Sequence, residues 1–218
     1  MFAPYICARM YRTRVPVLAQ LFLPKIICRP NTNGKKKVFL TFDDGPTPET
    51  TPFILSTLKE YELKATFFCV GENVKIYPEL YTQILAEGHF TGNHTFNHLK
   101  GWQTPDKTYL ENVHQCEEFV SSQLFRPPYG KMTLGQYNLL KDKFKLIYWD
   151  VLPPDYDISA SSEKCLEIVK KKTRPGSILV FHDNLKAKNK LTTLLPLTLD
   201  FLLVENYDIQ PVTNNIEK

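Results

Sequence analysis

Asp43, Asp44, His94, His98, Arg126, Asp150, Asp155 and His182 each stand at or just after a stretch that reads as a β-strand. Taken singly, each has a plain explanation. An Asp pair before Gly45-Pro46 suits a turn, two histidines four apart suit a polar surface turn, and Arg126 precedes two prolines. Collected at one end of one fold, they would form a site. His94 and His98, at i and i+4, lie on one face of a helical turn. One carboxylate completes a two-histidine, one-carboxylate set with positions left open for water and substrate. No cysteine lies close by to close that set, so the pattern points to a catalytic metal rather than a structural one. Only one of the adjacent carboxylates is needed as a ligand, which leaves the other as a base for water. Strand alternation sends Asp43 and Asp44 to opposite faces, so they should do different jobs.

The elements that must carry these residues alternate regularly. Residues 37–42 read as a strand, and Thr51-Pro52 starts a helix with Ile54, Leu55, Leu58 and Tyr61 at helical spacing. Further strands are expected at 65–70, 89–92, 123–126, 145–149, 177–182 and 208–212. Helices are expected at 78–87, 109–120, 134–141, 161–172 and 191–203. Seven strands with six intervening helices predict an α/β fold, a parallel (β/α) barrel that is distorted or incomplete. The same pattern also fits an open doubly wound sheet. In a parallel barrel, chemistry belongs at the C-terminal ends of strands, which is where the polar residues fall.

Composition sets the outer bounds. The chain has 218 residues, 43% of them hydrophobic, enough for one globular domain and too apolar for disorder. Its net charge of +4 is uneven, because residues 1–37 hold eight Lys or Arg and no acid. The remainder is mildly acidic, which excludes a nucleic-acid footprint over the main body. Five widely spaced cysteines (Cys7, Cys28, Cys69, Cys116, Cys165), with no Cys-x-x-Cys pair, read as reduced thiols.

Four segments together resemble the ordered signature motifs of the polysaccharide deacetylases, the NodB-like or family 4 carbohydrate esterases. They are Thr41-Phe-Asp-Asp-Gly45, His94-Thr-Phe-Asn-His98, Arg126-Pro-Pro-Tyr-Gly130 and Leu179-Val-Phe-His182. The resemblance runs from about Lys37 to Val212. It implies a hydrolase that removes N-acetyl groups from N-acetylated amino sugars, such as an N-acetylglucosamine-containing glycan or its precursor. It implies that Asp44, His94 and His98 hold one divalent metal ion, zinc in the first place, with cobalt, nickel, iron or manganese also suited. It implies further that Asp43 is the general base, that Arg126 pairs with it, and that the Tyr129 backbone N–H helps stabilise an oxyanion. His182 would protonate the departing amine, Asp155 would orient His182, and Leu179 would line the acetyl pocket.

One stretch departs from the family pattern. Where relatives often have Trp-x-x-Asp-x-x-Asp-Trp, this chain has Trp149-Asp-Val-Leu152-Pro-Pro-Asp155-Tyr156. Leu152 replaces an acid and Tyr156 a tryptophan, so the substrate groove should differ from that of well-matched relatives. The departure motivates two rival readings, a catalytically silent glycan-binding module and a deacylase of small amides or imides on the same fold. Asp183 reads equally as a partner to the site or as a turn residue.

Charge and motif content divide the chain into a basic extension, residues 1–36, and an expected catalytic domain, residues 37–218. Arg9, Arg12 and Arg14 before the apolar run 15–23 imitate a secretory signal, but Pro16 and Pro24 flank the run and Lys25 stands where a cleavage site belongs. The run is also too short to span a bilayer. The extension is expected to pack Leu18, Leu21, Phe22 and Ile26 on the domain, or to touch an anionic membrane surface. The expected location is the cytoplasm or the inner membrane surface, and the expected partner is the acetylated glycan.

Overall fold

The computed structural model describes residues 13–218. Cys7, Arg9, Arg12 and the side chain of Leu18 lie outside what it describes. Two elements fall in the basic extension, α1 (Val17–Phe22) and β1 (Ile26–Ile27). Then come β2 (Lys37–Asp43), α2 (Thr51–Glu60), β3 (Thr66–Cys69), α3 (Gly71–Ile76), α4 (Pro78–Ala86), β4 (Phe90–Asn93), α5 (Asp106–Glu117) and β5 (Leu124–Phe125). The chain continues through α6 (Leu134–Leu140), β6 (Lys145–Ile147), α7 (Ser162–Lys172), β7 (Ile178–His182), α8 (Lys188–Val204) and β8 (Asp208–Gln210).

All strand pairs are parallel, in the order β1-β6-β5-β4-β3-β2-β7. β8 pairs with the first half of β2, on the edge opposite β7, since Phe39 is partnered by both Gln210 and Ile178. Beyond β6, Val151 bridges to Leu179 of β7, which curls the sheet into the expected distorted, incomplete barrel rather than an open doubly wound sheet. The core follows strand alternation. Phe42, Phe67, Leu179 and Phe181 face the helices, where Leu55, Leu191 and Leu195 cover them. Phe68, Ile147, Ile178 and Val212 gather in a second cluster inside the curve. Burial of β2 and β7 on both faces is why their sequences are nearly continuous apolar runs.

β1 and α3 have no counterpart in the sequence reading. A two-residue strand offers no period to detect. It nonetheless joins the extension to the sheet, with Ile26 opposite Leu146 and fully buried. Of the other residues expected to pack there, Leu21 and Phe22 are 70% and 77% exposed. Cys28, Cys69, Cys116 and Cys165 are buried free thiols. No helix among the described residues is long and apolar enough to cross a membrane.

His89 illustrates a buried polar group held neutral. Its Nδ1 accepts the Ala65 N–H at 3.2 Å, while its Nε2 is buried without a hydrogen-bond partner, 4.0 Å from Glu87 Oε2. Burial pushes its pKa from 6.5 down to about 4, helped by Lys64. The unfolded chain therefore binds the extra proton first, and the contribution of neutral His89 is lost as pH falls from about 6.5 to 4. Wild type should lose about 3 kcal/mol more stability than His89→Asn across that window, read from urea unfolding at each pH. Parallel pH curves for the two proteins would contradict this.

Candidate active site

Asp43 is the last residue of β2 and Asp44 the first beyond it, and the backbone reverses between them. Asp44 has φ 81°, in the left-handed region. Thr95 (64°), His98 (56°) and Tyr129 (59°) share that conformation. Non-glycine residues adopt it only where surrounding structure holds them, and four such residues around one pocket mark a built site. His94 and His98 are therefore not on a helical turn, as their spacing suggests. They sit in the irregular loop after β4, and two left-handed residues fold it so that both rings meet Asp44. His98 Nε2 is 3.1 Å and His94 Nε2 3.5 Å from the same Asp44 oxygen.

The loop is clamped from behind. The Thr95 and Phe96 carbonyls accept the N–H groups of Gly71 and Glu72 at the start of α3. Asn112 on α5 accepts from the Phe96 and Asn97 N–H groups at 2.9 and 3.0 Å. Asn73 donates to the Asp44 carbonyl at 2.8 Å, and Asn184 to its carboxylate at 2.6 Å. The sequence reading did not single out these three asparagines. Asn112 carried a signal, as a polar residue on the buried face of an amphipathic helix. Asn184 lies two residues beyond a strand end.

The donor set suits a cation. One ligand atom each from Asp44, His94 and His98 lies within 4.8 Å of the others. His94 Nδ1 lies 2.7 Å from the Arg126 carbonyl, which only accepts, so Nδ1 carries the proton and Nε2 presents a lone pair. That lone pair faces a carboxylate oxygen, an arrangement resolved by a cation or an added proton between them. Burial alone would raise the Asp44 pKa, but His94, His98 and His182 beside it hold it well below the usual carboxylate range.

Asp43 has different partners. Arg126, at the end of β5, is fully buried and donates from Nη1 to Asp43 at 2.5 Å and to Thr41 Oγ1 at 2.9 Å. Its Nε and Nη2 reach the Ile147 and Tyr148 carbonyls, both at 3.2 Å, and its guanidinium lies over the Phe68 ring. A buried pair tied down at each of the three guanidinium nitrogens fixes Asp43 in one orientation.

Asp155 grips His182 twice, accepting from its backbone N–H and contacting ring Nδ1, each at 2.7 Å. Burial would depress the His182 pKa, but Asp155, with Asp44 and Asp43 behind it, pushes it up to about 9. The Tyr156 ring packs edge-on to His182 at 4.9 Å. Tyr129 and Trp149 also line the pocket, and Gly130 packs on Trp149, where an added Cβ would come within 2.3 Å of the ring. Leu179 does not line it. Three residues before His182 is an odd offset, which strand alternation places on the helix-facing side, and Leu179 is fully buried there. Val180 shares the face of His182.

Asp150 and Asp183 are both structural. Asp150 binds Arg174, Ser177 and Arg14. Asp183 is fully buried, accepting the hydroxyls of Thr47, Thr50 and Thr51 beneath the loop that carries Asp44. A Cβ on Gly45 would lie 2.0 Å from Asp183 Oδ2. Gly45→Ala should therefore destabilise the protein by about 1–3 kcal/mol in urea unfolding, whereas an unchanged midpoint would show that the loop yields freely.

The sequence profile described as polysaccharide deacetylase matches residues 30–143. The chain belongs to the polysaccharide deacetylase family. Two Bacillus cereus proteins described as peptidoglycan-N-acetylglucosamine deacetylases are similar to it. One is 34% identical over 156 residues, 68% of this chain and 56% of its own length. The other is 32% identical over 183 residues, 80% and 85% respectively. A crystal structure of a peptidoglycan N-acetylglucosamine deacetylase in complex with 4-naphthalen-1-yl-N-oxidanyl-benzamide superposes with TM-score 0.80 at 27% identity, over 91% of this chain and 95% of that one. A mutant of a CE4 family pseudoenzyme with restored enzymatic activity matches at TM-score 0.73 and 26% identity, over 84% and 68%. Family and fold thus extend to proteins without activity, and the residues of the site carry the functional argument.

Proposed function

We propose that this protein is a divalent-metal-dependent hydrolase that removes acetyl groups from N-acetylated amino sugars in a glycan or glycan precursor. The observation that carries the reading is the meeting, in one pocket of about 840 Å³, of a three-donor set with Asp43 and His182, which are backed by the buried Arg126 and Asp155. Asp44, His94 and His98 would hold the ion, with zinc first among those that suit imidazole and carboxylate donors. When bound, such an ion supplies Lewis acidity to an amide carbonyl and to water.

The chain's own residues do the rest. Asp43, held by Arg126, takes a proton from the attacking water. The Tyr129 N–H donates to the oxygen on which charge develops. His182, kept protonated by Asp155, gives its proton to the amine as the C–N bond breaks, so that water and amide become acetate and free amine. Tyr156 forms an aromatic wall beside His182.

Zinc-loaded protein should release acetate from N-acetylglucosamine oligomers or peptidoglycan fragments, with one free amine per acetate. Retained glycan binding without acetate would favour the silent module. Turnover that survives chelation would refute the metal assignment and favour the small-amide reading.

A further inference from the structure

The pocket that holds the metal donors is also walled by a part of the chain outside the catalytic motifs. Val15, Pro16, Leu23 and Ile26 of the basic extension line it. Val15, Leu23 and Trp149 pack against one hydrophobic cluster that includes Ile26, Met132 and Tyr148, so this side of the pocket is a continuous apolar surface.

The wall is built into the fold. The Leu152 N–H donates to the Thr13 carbonyl at 3.0 Å. Arg14 donates from Nε to the Asp150 carbonyl at 3.2 Å, pairs with the Asp150 carboxylate at 3.2 Å, and reaches the Lys172 carbonyl. At the other end, Ile26 and Ile27 enter the sheet beside β6. Arg14 also lines the pocket, with its charge engaged by the buried Asp150. Leu152, which stands where related motifs have an acid, lines the same pocket and is tied to the wall through its own backbone. At the rim, Trp102, Tyr129 and Leu185 are 63%, 51% and 67% exposed. The aliphatic part of this surface, Val15, Pro16, Leu23 and Leu152, offers no hydrogen bonds to sugar hydroxyls and is stabilised when an apolar group covers it.

We propose that Val15, Pro16, Leu23, Trp149 and Leu152 form an apolar subsite, and that the amino-sugar substrate carries an aliphatic or aromatic group that fills it. This rests on the deacetylase reading above and narrows its substrate class. The group has two chemical sources, an apolar aglycone or an N-acyl chain longer than acetyl, and one experiment separates them.

Calorimetric binding to the full chain, with chelator present so that turnover does not interfere, would compare three ligands. These are the methyl and hexyl β-glycosides of N-acetylglucosamine, and N-hexanoylglucosamine. At least one six-carbon ligand should bind tenfold or more tightly than the methyl glycoside, and which one does so identifies the source. Val15→Asn and Leu23→Ser, made separately, should each lose most of that preference while a single cooperative thermal transition shows that the fold is kept. Equal affinities for all three ligands, no saturable binding of either six-carbon ligand, or a preference that survives both substitutions would overturn the subsite. Acetate release from N-acetylglucosamine oligomers by the zinc-loaded protein reports on the deacetylase reading separately. Preference without acetate would refute that reading and leave the subsite standing, and acetate without preference would do the reverse.

Discussion

Asp43→Asn is expected to lower turnover by about 10²- to 10⁴-fold while the protein still binds one equivalent of zinc. The amide has the shape of the carboxylate and its oxygen can still accept from Arg126 Nη1, now 2.5 Å from Asp43, but it cannot take a proton from water. Asp44, not Asp43, contacts the histidines, so the donor set is untouched. The substitution also leaves the Arg126 guanidinium, with no exposed surface, short of its counter-charge. A lower thermal midpoint should accompany the loss of rate, and assays belong well below that midpoint. Metal content, acetate release and thermal unfolding on one preparation decide the matter. A normal rate with normal metal would remove Asp43 from the role of base.

His98→Ala should lose metal and activity together. Its Nε2 is one of three donors, and removal leaves two, too few to hold an ion against a chelator. Loss of partners that merely orient a ligand weakens metal affinity about 10- to 100-fold, so loss of a ligand itself should exceed that range. Stability should change little, because the His98 side chain is 27% exposed and its loop is held by Asn112 and α3 rather than by its ring. Zinc titration against a competing chelator, with acetate release measured in parallel, tests both halves. Wild-type zinc affinity in the variant would show that the two remaining donors suffice, and the metal assignment to His98 would fall.

Much of this site was legible in the linear sequence because catalysis needs particular side chains at strand ends, and strand ends follow from apolar runs. Asp43, Asp44, Arg126, Asp155 and His182 were placed by that logic. The geometry that makes them work was less visible. The i, i+4 spacing of His94 and His98 suggests a helix, but the real loop depends on left-handed φ at Thr95 and His98. Hydrogen bonds from α3 and Asn112, far along the chain, impose that conformation. Leu179 was misplaced by one residue of register, and alternation makes such an error total: the side chain moves to the opposite face.

Local patterns, then, were enough for the parallel fold and for most of its elements, because those depend on periodicity, and residue type at the strand ends was enough to nominate the candidate reacting groups. Contacts between distant parts of the chain were decided only by packing. Arg14 meets Asp150 across 136 residues, and Asp183 meets Thr47, Thr50 and Thr51 across more than 130. The two-residue strand β1 is stable only because β6 is there to pair with it. The basic extension looks in sequence like an appendage defined by charge. Tertiary structure engages Arg14 with Asp150, buries Ile26 and turns Val15, Pro16 and Leu23 into a wall of the pocket, since apolar surface is stabilised wherever the fold can cover it, whatever its distance in sequence.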